Sequence, residues 1–366
     1  MDIFSVTNIT KLYYPVNGIF LKILPKNKFF KAFHEYCLHI IANMRYYKIC
    51  KIAKKEILKI NKANPKSITL VWDCLTSPVT YGDFIDFCFY ARYLAFSNCS
   101  INFYIINDRY RSEWDIVYPG KNQKENFIKQ LKDIANFLIP DTKIHTIKNF
   151  SNLDFNCDTS FTVFLDKIKS RDDFYLFKYI EVMTELQCMQ SSKHSFLLDS
   201  KYYGNTNGIK DYICWHIRTS STLSSDEDEL PEDISKYYDI ISSETNLPII
   251  IISNMAALHN LKNILGNKTN VHFSKDIDND FLSDLKIIIG SKIYIQCGWG
   301  GAFTVPICSK IPFLGPPIER VQDRWQMLKP HVKNYSNIRP WATQNQMAFN
   351  SDIDFQNKLS KILERI

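Results

Sequence analysis

The sequence has no run of about 18 apolar residues, which is the length that a helix needs to cross a bilayer. Its most apolar early stretch, residues 18–24, is interrupted by Lys22 and followed by Pro25. We therefore expect neither a membrane-spanning helix nor a signal peptide. The expected location is the cytoplasm, and peripheral contact with the inner face of a membrane is an open alternative.

Glycine, closely spaced cysteines and internal repeats are also scarce or missing. Glycine contributes only 11 of 366 residues and hydrophobic residues make up 45%, which excludes collagen-like and disordered chains. The ten cysteines are never closer than eleven residues, so there is no C-x-x-C motif and we expect small core residues. No repeat of about 20 to 50 residues is visible, which excludes solenoids and propellers. The length predicts two domains.

Positive charge is concentrated at the start of the chain. Residues 1–66 hold 13 Lys and Arg against three acidic residues, a net charge of +10, and since the whole chain carries +7 the other 300 residues carry −3. Within this segment, apolar residues recur from Phe33 to Tyr47 at the spacing of one helix face. We predict a basic amphipathic helical segment that either packs on the body of the protein or lies on anionic membrane through residues 20–62.

From residue 67 onward, apolar runs alternate with amphipathic stretches. In the first half the predicted strands are 68–72, 101–106, 143–147 and 161–165, and the predicted helices are 83–96, 125–138 and 172–189. In the second half the predicted strands are 212–217, 248–252, 270–273, 292–297 and 311–314, and the predicted helices are 232–244, 255–265, 279–289, 302–309 and 353–366. Short apolar strands separated by helices are typical of a parallel, doubly wound sheet.

The polar stretch 199–211 has no periodicity and is expected to link two domains. The expected fold is α/β, with two Rossmann-like domains that face each other across a cleft. The predicted divisions are 1–66 for the basic segment, 67–200 for the N-terminal domain, 201–345 for the C-terminal domain and 346–366 for a C-terminal helix.

Charged side chains follow the predicted strand at 212–217. Alternation along an extended chain places His216 and Arg218 on one face where that strand ends. Ligands of open α/β sheets bind at the carboxyl ends of the strands, and the guanidinium fork of Arg matches phosphate oxygens. We interpret Arg218 as a phosphate ligand, and a structural ion pair with an acid such as Asp226 is the alternative.

A glycine-rich turn follows the predicted strand at 292–297 and precedes a predicted helix. It consists of Gly298, Trp299, Gly300, Gly301 and Ala302. Glycines allow the backbone to approach a ligand closely, and the free N–H groups of a helix start attract anions. The turn predicts a phosphate or pyrophosphate site, and a simple tight turn is the alternative.

Further polar residues lie near the ends of other strands. Ser253 and Asn254 can bond to a base or ribose, and the Glu319 carboxylate can accept hydrogen bonds from ribose hydroxyls. Asp83 follows Gly82 at a predicted helix start, where it either caps the helix or takes a proton from an acceptor hydroxyl.

Together these features resemble the nucleotide-sugar glycosyltransferases of the GT-B fold. The His-Ile-Arg triplet at residues 216–218 is similar to the H-I-R motif of fucosyltransferase-like enzymes that use GDP-fucose, in which the Arg holds the donor pyrophosphate. The Gly82-Asp83 pair is similar to the place where heptosyltransferase-like enzymes carry their catalytic Asp. Residues 219–221 are Thr-Ser-Ser, where the fucosyltransferase pattern continues with Arg, Gly and Asp.

The resemblance implies a different binding role for each domain. The N-terminal domain would hold a glycan or lipid-linked acceptor and the C-terminal domain a nucleoside-diphosphate sugar, with a GDP-sugar slightly favoured and no nucleic acid as partner. Arg218 and the amides of residues 298–302 would neutralise the leaving pyrophosphate. Asp83 would act as base in an inverting transfer, and His216 would orient the substrate or serve as a reserve base.

A metal requirement is not expected. Acidic D-x-D sequences, which could bind a divalent metal, occur at 226–228, 276–278 and 352–354. The first lies in a polar loop, the second shortly before a helix and the third in the C-terminal tail, so we interpret all three as solvated loop acids. We predict no cofactor besides the nucleotide-sugar co-substrate.

The sequence leaves three alternatives open. A nucleotide-sugar 2-epimerase would share the fold and the pyrophosphate site without needing an acceptor platform. A non-catalytic protein that binds membrane or nucleic acid would use the basic N-terminus, although residues 67–366 are net negative. A catalytically inactive sugar-nucleotide-binding scaffold would carry the same motifs.

Overall fold

The computed structural model of the protein describes parts of two α/β units. The described residues are 67–74, 80–82, 84–85, 87–88, 100–110, 112–139, 142–148, 203–219, 230–297, 305–306, 309–315 and 344–366. The basic segment 1–66 lies outside this part, and with it the expected membrane contact through residues 20–62. The predicted strand at 161–165 and the predicted helix at 172–189 lie outside it as well.

The first unit is built on a parallel sheet of three described strands. These are β1 (Ser67–Asp73), β2 (Ser100–Ile106) and β3 (Lys143–Ile147), paired in the order β1-β2-β3. All three were predicted, because short runs rich in branched and aromatic residues favour extended backbone. Two helices, α1 (Ser112–Val117) and α2 (Lys121–Leu138), connect β2 to β3.

Helix α2 buries one apolar stripe and begins earlier than the predicted start at residue 125. Its first turn is closed by Gln123, whose Oε1 accepts a hydrogen bond from the Gly120 N–H at 3.4 Å. Helix α1 was not predicted, because six residues are too few for a helical period to show. Residues 81–82, 84–85 and 87–88 are also helical, in the region of the helix predicted at 83–96.

The second unit holds a parallel sheet of six strands. These are β4 (Ile213–His216), β5 (Ile249–Ile252), β6 (Val271–Phe273), β7 (Ile293–Gln296), β8 (Phe313–Gly315) and β9 (Gln346–Ala348). Neighbouring strands follow the order β6-β5-β4-β7-β8-β9, and every pair is parallel. The expected α/β fold with parallel sheets is confirmed.

The helices of this unit are α3 (Pro231–Glu244), α4 (Met255–Leu265), α5 (Ser274–Ile277), α6 (Phe281–Gly290) and α7 (Asp352–Leu363). Local signals fix where several of them start. Asn254 Oδ1 accepts from the Ala257 N–H at 2.7 Å, Asp280 caps α6 by accepting from the Leu282 N–H at 3.3 Å, and Pro231 opens α3. The structure confirms the predicted helices at 232–244, 255–265 and 279–289.

One prediction about the end of the chain is wrong in part. The predicted helix at 353–366 is confirmed by α7, but residues 346–348, which the predicted division 346–366 assigned to that helix, form the edge strand β9. Gln346 is buried, and its amide donates to the carbonyl oxygens of Pro306 at 2.9 Å and Ile311 at 3.0 Å. Those bonds hold a strand of three residues, which is too short to show a period of two in the sequence.

Side chains alternate between the two faces of the six-stranded sheet. One face, which includes Ile213 and Trp215, packs under α3, α4 and α7. The opposite face, which includes Cys214 and Tyr294, packs against α6 and belongs to the same buried cluster as the strands and α2 of the first unit. The two units therefore share one continuous core along this second face.

Aromatic side chains join the two units. Tyr81, in the helical segment after β1, stacks on Phe281 at the start of α6, with ring centroids 4.1 Å apart and planes 14° apart. Gly204, in the predicted linker 199–211, lies so close to α6 that a Cβ atom there would come within 2.9 Å of the Lys286 Cβ. Helix α6 thus contacts both the first unit and the chain that leads into β4.

Across the ranges given above, no helix is long and apolar enough to span a lipid bilayer. Four cysteines fall within these ranges, and all four are buried free thiols, as predicted for core residues: Cys74, Cys88, Cys214 and Cys297.

Helix α7 offers a test of the second core. Phe355 is fully buried beside Phe349, with ring centroids 5.0 Å apart, whereas Ile353 on the same helix is 74% exposed. Replacing Phe355 by Ala leaves a cavity, so we expect a loss of about 3 to 5 kcal/mol in the free energy of unfolding, measured with urea. The matched Ile353→Ala variant should change it by less than about 0.5 kcal/mol. Equal effects of the two substitutions would contradict this packing.

Candidate functional site

The strand order fixes where a ligand site can form in the second unit. The chain runs from β4 outward to β6 and then restarts at β7 on the other side of β4. Right-handed crossovers in opposite directions leave their helices on opposite faces, and α3 and α4 indeed pack on one face and α6 on the other. This topology predicts a crevice outside the carboxyl ends of β4 and β7, which is where open α/β sheets bind ligands.

His216 and Gln296 lie side by side at this crevice. They are the last residues of β4 and β7 and are partners in the strand register. Gln296 is 1% exposed, and its Oε1 accepts a hydrogen bond from the Tyr294 hydroxyl at 2.8 Å. The Nδ1 atom of His216 is buried and has no hydrogen-bond partner within the described part of the chain. Buried polar atoms are normally paired, so this nitrogen is a group that a ligand can satisfy.

The imidazole of His216 is neutral under physiological conditions. Burial lowers the pKa of His216 from 6.5 to about 4, a hydrogen bond with Gln296 opposes that shift, and the charge of Arg218 adds to it. A neutral imidazole can donate and accept hydrogen bonds but brings no charge. Positive charge at this strand end therefore comes from Arg218.

Arg218 lies on the same side of the chain as His216. Between them, the Ile217 N–H donates to the Ile252 carbonyl at 3.0 Å, and the Ile217 side chain packs in the cluster under α3 and α4. Arg218 is half-buried, and its charge lies close enough to His216 to lower the pKa of that residue. This is the arrangement that the sequence predicts for these two residues.

Ser253 and Asn254 lie at the carboxyl end of β5, beside β4, as predicted. Their polar atoms serve mainly the local backbone: the Ser253 hydroxyl donates to the Asn254 carbonyl at 3.2 Å, and Asn254 Oδ1 caps α4. The Asn254 amide also donates to the Thr219 carbonyl at 3.5 Å. These contacts tie the loop after β5 to the loop after β4, so the pair shapes the edge of the crevice.

Several predicted site residues lie outside the described residues. They are Asp83, Gly298, Trp299, Gly300, Gly301, Ala302 and Glu319. The structure does describe the residues directly before Asp83 and Gly298. Gly82 is buried in a helical segment, and Cys297 is buried at the end of β7. Cys297 is thus the last described residue before the glycine-rich stretch 298–302.

The D-x-D acids that fall within the described ranges are engaged at the surface. Asp276 binds Lys262 at 2.7 Å, and Asp352 binds Lys236 at 2.8 Å. The acids at 226–228 lie outside those ranges. Where side chains are described, no three His, Cys, Asp or Glu residues group closely enough to hold a metal ion.

Two polar residues of this crevice were not singled out from the sequence. One is Gln296, whose pairing with His216 depends on a strand order that no local motif carries. Thr219 was noted only as a departure from the fucosyltransferase pattern, yet its Oγ1 is buried without a hydrogen-bond partner among the described residues. In the sequence, the one sign that Thr219 belongs to the site is its position directly after Arg218 at the strand end.

Comparisons with known proteins give likenesses in structure alone. No family model and no curated protein sequence matches the chain. The structure is similar to that of the E. coli heptosyltransferase WaaC with ADP, at a TM-score of 0.40 and 9% identity, covering 81% of this chain and 99% of that one.

Two further solved structures are similar. A glycosyl transferase of family 9 from Veillonella parvula has a TM-score of 0.37 and 10% identity, covering 82% of this chain and 96% of its own. The UDP-GlcNAc 2-epimerase of Methanocaldococcus jannaschii, in complex with UDP-GlcNAc and UDP, has a TM-score of 0.32 and 11% identity, covering 82% and 92%. Since every one of these TM-scores lies below 0.5, we base the fold on the strand order and the site on this chain's own residues.

The lowered pKa of His216 predicts a pH-dependent contribution to stability. Between pH values of about 4 and 6.5 the unfolded chain binds a proton at this residue that the folded chain does not, so stability falls as the pH falls through this window. The loss amounts to about 3 kcal/mol, and a His216→Gln variant should lack it. Urea unfolding at a series of pH values measures the difference between variant and wild type.

If the free energy of unfolding of His216→Gln followed the wild-type dependence on pH, His216 would not be buried in its neutral form.

Proposed function

We propose that the protein is a glycosyltransferase of the GT-B type, which transfers a sugar from a nucleoside-diphosphate sugar to a hydroxyl group of a glycan or lipid-linked acceptor. The observation that carries the proposal is the pairing of β4 with β7, which brings His216 and Gln296 together and places Arg218 beside them. A sugar nucleotide needs fixed positive charge at its pyrophosphate and neutral hydrogen-bonding groups elsewhere. The crevice offers both.

In this proposal Arg218 supplies the charge that the leaving nucleoside diphosphate requires. When the glycosidic bond to the donor breaks, negative charge grows on the pyrophosphate, and a fixed guanidinium stabilises it without reorganisation of solvent. Backbone N–H groups of residues 298–302 would add further donors in this proposal, because these residues directly follow Cys297 at the end of β7. His216 is suited to orienting the sugar or phosphate by a hydrogen bond, since a pKa of about 4 makes it a weak base at pH 7.

Asp83 is the proposed base. It directly follows Tyr81 and Gly82, and Tyr81 stacks on Phe281 of the second unit, so the chain at this point runs along the contact between the units. A carboxylate there could take the proton of the acceptor hydroxyl as that oxygen attacks the sugar carbon, which inverts the configuration at that carbon.

We further propose that the transfer needs no metal and that a GDP-sugar is the favoured donor. The engagement of Asp276 and Asp352 with lysines supports the first point, since acids already paired at separate surfaces are poor candidates for one shared ion. Residues 20–62 would hold the enzyme on an anionic membrane, beside a lipid-linked acceptor.

The first test of this proposal is nucleotide binding. Isothermal titration with GDP, UDP and ADP in the presence of EDTA should find one that binds the wild type. Arg218→Ala should weaken that binding by about 100-fold, because a charge-assisted bond to phosphate is lost. Arg365→Ala, at the exposed end of the chain, should bind like the wild type. Unchanged affinity in Arg218→Ala would remove the pyrophosphate assignment.

The second test separates transfer from epimerisation. The Asp83→Asn variant should bind nucleotide normally and lose at least about 100-fold in turnover, because the amide cannot accept a proton. Wild-type turnover, followed by NMR of the donor sugar, should require a hydroxyl acceptor. Interconversion of the nucleotide sugar in the absence of an acceptor would instead identify an epimerase.

A further inference from the structure

The first unit carries a pocket that is separate from the strand ends β4 and β7. Its volume is about 290 Å³, and its walls are Tyr81, Val117, Tyr118, Gln123, Asn126, Phe127 and Gln130. None of these residues is charged. Four of them lie on α2 at positions i, i+3, i+4 and i+7 from residue 123, so they form one face of a single helix.

Aromatic rings form the floor of this pocket. Phe127 is 2% exposed and lies 4.5 Å, centroid to centroid, from both Tyr81 and Tyr118, with its plane tilted by 37° and 36° from theirs. Burial raises the pKa of Tyr118 to about 12 and raises that of Tyr81 as well, so both phenols stay uncharged. The rings touch one another, which leaves no slot for a planar group between them. A ligand can contact them from one side only.

Amide side chains line the remaining walls of the pocket. The Tyr81 hydroxyl donates to Gln130 Oε1, and Gln123 Oε1 accepts from the Gly120 N–H, so neither of these bonds uses the N–H groups of the two amides. The exposed Asn126 amide has no hydrogen-bond partner among the residues that the structure describes. An amide offers an acceptor and two donors side by side, the pattern that neighbouring hydroxyl groups on a ring can match.

Lys124, next to Gln123 on α2, makes contacts away from the pocket residues. Lys124 Nζ binds Asp115 Oδ1 at 2.5 Å and lies 5.0 Å from the centre of the Tyr110 ring. It is not one of the lining residues, so the pocket offers no fixed positive charge to a phosphate or carboxylate.

We propose that this pocket binds a neutral sugar ring and is the subsite for the acceptor. The C–H face of a pyranose would lie against Tyr118 above the Phe127 floor, and its hydroxyls would bond to the amides of Asn126, Gln123 and Gln130. A planar nucleobase could stack on the same exposed ring face, so adenosine serves as a comparison ligand in the test.

The location of the pocket fits an acceptor. Tyr81, one of its walls, is two residues from Asp83, the proposed base, and contacts the second unit through Phe281. The role as acceptor subsite rests on the proposed transferase function, whereas binding of a neutral sugar does not.

Saturation-transfer NMR on the full chain tests this inference. The probes are the methyl glycosides of glucose, galactose, mannose and N-acetylglucosamine, with glucuronic acid and adenosine as charged and planar comparisons. At least one neutral glycoside should give a signal, and Asn126→Ala should weaken its binding by about tenfold. The matched Asn122→Ala variant, exposed on the same helix but outside the pocket, should bind like the wild type.

Three outcomes would overturn the inference: no signal from any neutral glycoside, equal binding by Asn126→Ala and wild type, or stronger binding of glucuronic acid or adenosine at the same residues. Thermal unfolding of each variant checks that it is folded. Titration of the same samples with nucleoside diphosphate keeps the two proposals apart. If the protein binds nucleotide but no sugar, only the sugar-binding inference is overturned. If it binds sugar but no nucleotide, the proposed donor site is overturned instead.

Discussion

The parallel pairing of β4 with β7 is the constraint on which the rest of the second unit depends. It places the first and fourth strands of the sheet next to each other, so that the chain must build outward in both directions from them. The helices then diverge to opposite faces, with α3 and α4 on one and α6 on the other. A crevice at His216 and Gln296 is thus a consequence of topology, and the polar side chains there give it chemistry.

Helix α6 connects this crevice with the first unit. Its apolar side packs on the face of the sheet that carries Cys214 and Tyr294, and its start meets Tyr81 through Phe281. A buried ion pair, Lys275 to Asp284 at 2.5 Å, ties the short helix α5 to α6. Removing either partner would leave an uncompensated buried charge, so the pair constrains how α6 sits on the sheet. Both proposed ligand sites therefore depend on the same helix.

The sequence predicted the regular parts of this fold better than the site. Strands such as β5, four consecutive isoleucines, and helices with a capping residue such as Asn254 carry local signals. Gln346 in β9 and the six residues of α1 do not, because elements that short show no period. For His216 and Arg218, alternation along the chain predicted their shared position at a strand end. The pairing of His216 with Gln296 could not be predicted from the sequence, since it joins residues 80 positions apart through the strand order.

Hydrogen exchange of the full chain, with and without a saturating nucleoside diphosphate, tests the central claim most directly, namely that the β4–β7 crevice is the nucleotide site. Ligand binding slows exchange where it orders or covers the backbone. The account predicts slower exchange at the end of β4 and its following loop, residues 213–219, and at the end of β7 and its turn, residues 296–302. Slower exchange confined to the first unit, or absent from both strand ends, would contradict it.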